Sequence, residues 1–156
     1  MFSRSFLTGA LAFALGLGAS AGDKLSSNQL KLLHDPGGWE YIKISNSDSG
    51  FQTEHTCFDG IPDPQQCSGV MKFTPHNTFV QKIHIHGQTL QRHGKYQLGG
   101  KQLALFDELG TKDGPYTLDL NEQNNHLVLQ MPQVRIELEL EEQYRKDRRP
   151  DKQPPD

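Results

Sequence analysis

The sequence predicts an all-β domain: about eight short antiparallel strands behind one short N-terminal helix. Three observations carry this reading. From Trp39 onward apolar and polar residues alternate with a period of two, which gives each strand one dry and one wet face. Clusters of Gly, Asn and Pro interrupt the alternation at tight-turn spacing. Only Leu25 to His34 shows helical spacing, with Leu30 and Leu33 on one face. Ser26 and Ser27 can cap that helix, and Asp35-Pro36-Gly37-Gly38 stops it.

The strands follow in order. Trp39-Glu40-Tyr41-Ile42-Lys43-Ile44 reads as the first, with a Ser/Asp/Gly turn reaching Gly50. Phe51 to Cys57 reads as a second. Gly69–Thr74 and Thr78–His86 form a hairpin around Pro75-His76-Asn77. In its second half Phe79, Gln81, Ile83 and Ile85 share one face, and Val80, Lys82, His84 and His86 the other. Tyr96 and Leu98 alternate with Lys95 and Gln97, and Gly99-Gly100 turns the chain into Leu103 and Leu105. A polar loop bounded by Gly110 and Gly114 leads to Tyr116, Leu118 and Leu120. The run Asn121 to Asn125 then turns into Leu127, Leu129 and Met131. After Pro132 the last strand places Val134, Ile136, Leu138 and Leu140 inside, and Arg135, Glu137, Glu139 and Glu141 outside. So many antiparallel strands must close or fold over to bury their apolar faces. At about eight strands, a closed barrel has an interior that side chains fill or that holds one small ligand.

Residues 1–21 read as a secretory signal peptide. Arg4 is followed by an apolar run from Phe6 to Leu17, and Ala19-Ser20-Ala21 supplies a small-residue cleavage site. The run is shorter than the roughly 20 residues a membrane helix needs, and no second one follows, so no transmembrane segment is expected after cleavage. A periplasmic or secreted location is the expectation. There Cys57 and Cys67 pair most simply as a disulfide around a turn-rich loop. Closing so short a loop stabilises by roughly 2–3 kcal/mol on the chain-entropy model. The formal charge of the whole chain is −3, and loss of Arg4 makes the remainder more acidic, which argues against a nucleic-acid partner. Residues 22–144 form the single domain, and 145–156 read as a disordered, charged, Pro-rich tail.

A short helix leading into Gly38-Trp39, then Gly94-Lys95-Tyr96, Leu103-Ala104-Leu105, Pro115-Tyr116-Thr117-Leu118, Leu127-Val128-Leu129 and a closing Glu/Leu strand make up an ordered set. It resembles the lipocalin-like domains of secreted bacterial proteins, small β-barrels of the calycin type, over roughly Leu25 to Tyr144. The resemblance implies an up-and-down barrel plugged at one end by Trp39. It implies binding of apolar small molecules or of proteins, and no reaction.

The side chains offer little standard chemistry. Ser68-Gly69 lacks the G-x-S-x-G elbow, and no G-K-[ST] follows Gly99-Gly100. His84-x-His86 on a strand could offer two zinc ligands, with His93 as a third, and His76 and His55 in reserve. Ile83 and Ile85 claim the inner face, however, which turns those imidazoles outward, so no metal is expected. Nothing selects one of the seven histidines as a haem ligand. The expectation is therefore a non-enzymatic protein without a cofactor. It would bind a small apolar ligand in or at the mouth of the barrel, lined by Tyr41, Phe79, Ile83, Tyr96, Leu103, Tyr116, Leu118 and Leu129. The alternative is a periplasmic protein partner or inhibitor target engaged by the Cys57–Cys67 loop, which Pro62 and Pro64 stiffen. A metal-dependent site at His84 and His86 ranks third. The oligomeric state is open.

Overall fold

A computed structural model describes residues 24–47, 53–57 and 67–147. The stretch read as a signal peptide, the turn expected to reach Gly50 with the start of the Phe51–Cys57 strand, the loop between the cysteines and the last residues of the chain lie outside them.

Helix α1 spans Ser27–Leu33. Its N-cap is Ser26, whose hydroxyl accepts from the Gln29 N–H at 3.1 Å, while the Gln29 carboxamide oxygen accepts from the Ser26 N–H at 2.9 Å. This reciprocal box satisfies two backbone donors that the first helical turn leaves free. Nine strands follow among the described residues: β1 Trp39–Asn46, β2 Thr53–Thr56, β3 Cys67–Phe73, β4 Thr78–Ile85, β5 Gln88–Gly99, β6 Gln102–Asp107, β7 Lys112–Asn121, β8 His126–Gln130 and β9 Val134–Leu140. A second helix, α2, spans Glu141–Asp147.

From β3 to β9 each strand pairs antiparallel with the next, and β1 pairs with both β9 and β3. Eight strands thus close an antiparallel barrel, as the alternation predicts. The ninth, β2, shares an edge of β1 with β3. Asn46 to Lys43 pair with Thr53 to Thr56, the Cys57 N–H donates to the Ile42 carbonyl at 2.9 Å, and Glu40 and Trp39 then pair with Val70 and Met71. β2 and β3 are therefore two halves of one strand position, interrupted between residues 58 and 66. The Cys57–Cys67 disulfide, buried at both sulfurs' residues, ties the halves together at the break.

The inward rows of all eight barrel strands form one apolar cluster with Leu25 and Leu33. α1 lies over the end where β1 begins. Leu33 is fully buried, the Trp39 Nε1–H donates to the Leu33 carbonyl at 3.2 Å, and the Gln29 side chain donates to the Leu120 carbonyl at 3.0 Å.

Two elements differ from the sequence reading. β4 stops at Ile85. His86 and Gly87 have φ of 53° and 72°, the left-handed pair of a two-residue hairpin turn. β5 consequently starts at Gln88 and runs for 12 residues, where only Lys95 to Leu98 were legible. At the other end, Glu141 does not extend the outer row of β9. Its N–H donates to the Gly38 carbonyl at 3.0 Å, and α2 carries helical structure through Arg145–Asp147, into the stretch expected to be tail. Glu141–Arg145 and Glu142–Lys146 are i,i+4 pairs, the spacing that supports an exposed helix.

Candidate binding site

The two ends of the barrel are unlike. α1 and Trp39 cover one. The other rim is made by the end of β1, the β4–β5 turn and the starts of β7 and β9. On the inner face near that rim stand Ile44, Ile83, Ile85 and Leu90. Ile44 reaches it because a register shift between Tyr41 and Lys43 resets the alternation of β1. Leu90 lies directly across the ladder from Ile83 and is 49% exposed.

Below this apolar rim runs a chain of polar side chains inside the barrel. The Gln81 amide donates to the Tyr41 hydroxyl at 2.5 Å. Arg92 Nε donates to the Gln81 oxygen at 2.7 Å, and Arg92 Nη2 donates to Asp113 at 2.8 Å. The Tyr116 hydroxyl donates to the other Asp113 oxygen at 2.7 Å. Tyr41 and Gln81 are buried, whereas the Arg92 and Asp113 side chains keep 27% and 26% of their surface. The chain thus leads from a dry interior to solvent at the rim. Burial pushes the Tyr41 phenol well above its ordinary range. Burial does the same to Tyr116, with its hydrogen bond to the Asp113 carboxylate adding to the shift. Both phenols stay neutral donors and acceptors.

All eight residues expected to line a ligand site point inward and are buried in the single core cluster. The structure does not bring them to one surface. Tyr41 and Tyr116 belong to the polar chain, and Ile83 stands above it at the rim. Phe79, Leu103, Leu118 and Leu129 are packed deeper. Tyr96 sits at the helix-covered end, where its hydroxyl donates to the Thr74 carbonyl at 2.9 Å and its ring meets Phe73 edge-on at 5.4 Å. Since that hydroxyl's proton is committed to Thr74, the 2.7 Å contact with His34 Nε2 requires the imidazole to be the donor.

Sequence reasoning missed Gln81, Arg92 and Asp113 as site residues. Gln81 carried a signal: it is the one polar residue on the Phe79/Ile83/Ile85 face. Arg92 carried none until the His86-Gly87 turn was recognised, because its strand was not. Asp113 falls in the segment between Gly110 and Gly114 that reads as a polar loop.

The histidines are not assembled. His84 is exposed and its Nδ1 lies 3.0 Å from the Thr89 hydroxyl. His86 lies in the turn, so it does not share a strand face with His84. His93 pairs with Glu108 and stands opposite Val80, four residues down the ladder from His84, about 13 Å away at strand rise. Among the described residues no group of three His, Cys, Asp or Glu side chains is placed to hold a metal.

A separate surface groove of about 690 Å³ runs between α1, Pro75 and Asn125 at the opposite end. None of the eight expected residues lines it. Among the described residues no helix is long and apolar enough to cross a membrane.

No family model and no curated protein matches this chain. The reading of the site therefore rests on its own geometry.

Proposed function

We propose that this chain is an exported, non-enzymatic binding protein of lipocalin-like type. It takes a small, mainly apolar molecule with one polar group at the rim opposite α1. The observation that carries this is the Tyr41–Gln81–Arg92–Asp113–Tyr116 chain within an otherwise apolar barrel. A core needs no such chain, and an ion pair that solvent still reaches adds little stability. Binding sites, by contrast, are apolar pockets with a few converging polar groups. Ile44, Ile83, Ile85 and Leu90 supply the apolar wall, and Arg92 and Asp113 the polar floor that solvent still reaches. The export reading rests on the signal-like N-terminus and agrees with the buried disulfide.

The test is native mass spectrometry of protein from its own host, joined to melting curves across a panel of medium-chain alcohols and amphiphiles. The expected result is an adduct mass, or a melting temperature raised by the panel, that disappears in the Arg92→Met/Asp113→Asn double variant. That variant removes both charges together and so strands neither. A bare polypeptide mass with no melting shift for any member of the panel overturns the reading.

A further inference from the structure

The polar chain inside the barrel is unevenly satisfied. Its acceptors are served: each Asp113 oxygen takes a hydrogen bond, the Gln81 oxygen takes one from Arg92, and the Tyr41 oxygen takes one from the Gln81 amide. Its donors are not. Arg92 commits its Nε–H to Gln81 and an Nη2–H to Asp113, which leaves both Nη1 hydrogens without an acceptor among the described residues.

Tyr41 is the sharper case. Arg92 fixes the Gln81 carboxamide, because a flipped amide would set its NH2 against the Arg92 Nε–H. Gln81 therefore meets the Tyr41 hydroxyl as a donor, and the phenol proton needs an acceptor of its own. No described residue supplies one, although Tyr41 is only 1% exposed. A buried donor left without an acceptor is costly. Tyr41 and Arg92 both bond to the one Gln81 carboxamide, so their free hydrogens belong to one cluster.

The charges, by contrast, are already balanced. Asp113 neutralises Arg92 at 2.8 Å. A ligand carboxylate would stand beside Asp113, and an ammonium beside Arg92. Either brings a like charge into a partly dry site, which disfavours the charged form. Arg92 also lines a groove of about 360 Å³ at the point where β6 ends, and Asp107 and Glu108 in its wall repel an anion further.

We propose that the polar group taken at this site is an uncharged carbonyl, as in a ketone, ester or amide on an apolar chain. Its oxygen accepts from Arg92 Nη1 and from the Tyr41 hydroxyl. The inference rests on the binding role proposed above and adds the ligand's chemical class. A carbonyl oxygen brings two lone pairs and no hydrogen, which is what the chain is short of. An alcohol accepts as well, but its own proton adds a donor to a set that already has too many, so it binds more weakly.

Calorimetric titration with hexyl methyl ketone, octanol, octanoate and octylammonium at neutral pH tests this on ligands of equal carbon number. The ketone should bind most tightly, about tenfold better than octanoate or octylammonium, the worth of one hydrogen bond from a charged donor. Tyr41→Phe should abolish the ketone's margin over octanol and leave octanol binding in place. In the wild type, where no folding defect enters, the carbonyl stretch of the bound ketone should lie below its value in water. Octanoate, octylammonium or octanol binding as tightly as the ketone overturns this inference and leaves the binding role standing. So does a carbonyl stretch at its value in water or above, or a ketone margin that survives Tyr41→Phe. Binding of none of the four overturns both.

Discussion

Titration reports individual side chains directly. Burial lowers the His34 pKa, while the tautomer that donates to Tyr96 keeps the neutral ring paired. The unfolded chain takes up a proton at about pH 6.5, and the folded one declines it until lower pH. Stability from His34 is therefore complete above that pH and is lost as pH falls below it. Melting temperature should fall on mild acidification, and His34→Gln should flatten that part of the profile. The tyrosines act at the other end of the scale. Burial raises Tyr41, Tyr96 and Tyr116, so their contribution is complete below about pH 10 and is lost as pH rises past it. Phenolate absorbance should then appear for these three only together with loss of near-ultraviolet circular dichroism. Early ionisation in a folded protein would contradict their burial. His84→Ala should change stability by no more than about 0.5 kcal/mol and leave it insensitive to zinc or chelator. A chelator-sensitive wild type would show a metal site that the geometry does not provide.

Strands differ in how legible they are, for a physical reason. β7 and β9 could be read because one face is dry and the other wet: Leu118, Leu120 and Leu138 are buried beside polar neighbours. The first half of β5 lies beyond the edge of β6 and covers little, so Thr89, Gln91 and His93 alternate with a half-exposed Leu90 and an interior Arg92. Periodicity carries no signal there, and only the His86-Gly87 turn marks the strand. The same limit hid the candidate site. Inward residues such as Tyr41, Ile83 and Tyr116 follow from the alternation, whereas Arg92 and Asp113 read as ordinary surface charges. Gly94 marks where β5 meets β6. A Cβ there would lie 1.9 Å from the Phe106 carbonyl oxygen, in backbone that cannot turn aside. Gly94→Ala should destabilise by about 1–3 kcal/mol, the range for overpacked positions, measured by denaturant unfolding. A neutral result would mean that β5 and β6 are not so closely apposed. The Cys57→Ser/Cys67→Ser pair should cost roughly 2–3 kcal/mol by loop entropy, because the disulfide holds β2 and β3 to one edge of β1.

The whole molecule is a barrel with a sealed end and a chemically mixed rim. α1, Trp39 and Tyr96 close the barrel interior at one end by packing and by hydrogen bonds to backbone carbonyls, and the groove beside α1 lies outside that seal. The rim combines exposed apolar surface at Leu90 with a hydrogen-bonded ion pair that solvent reaches. Such an arrangement suits an amphipathic small molecule whose apolar part lies on the isoleucines and whose polar group meets Arg92 or Asp113. The most direct measurement is an NMR titration of the labelled protein with a medium-chain alcohol, following the Arg92 Nε–H and the methyl groups. The account predicts that Arg92 Nε–H and the methyls of Ile44, Ile83, Ile85 and Leu90 shift together and saturate, while Leu33 and Leu120 stay still. Shifts confined to residues around α1, or none at any concentration, would contradict it.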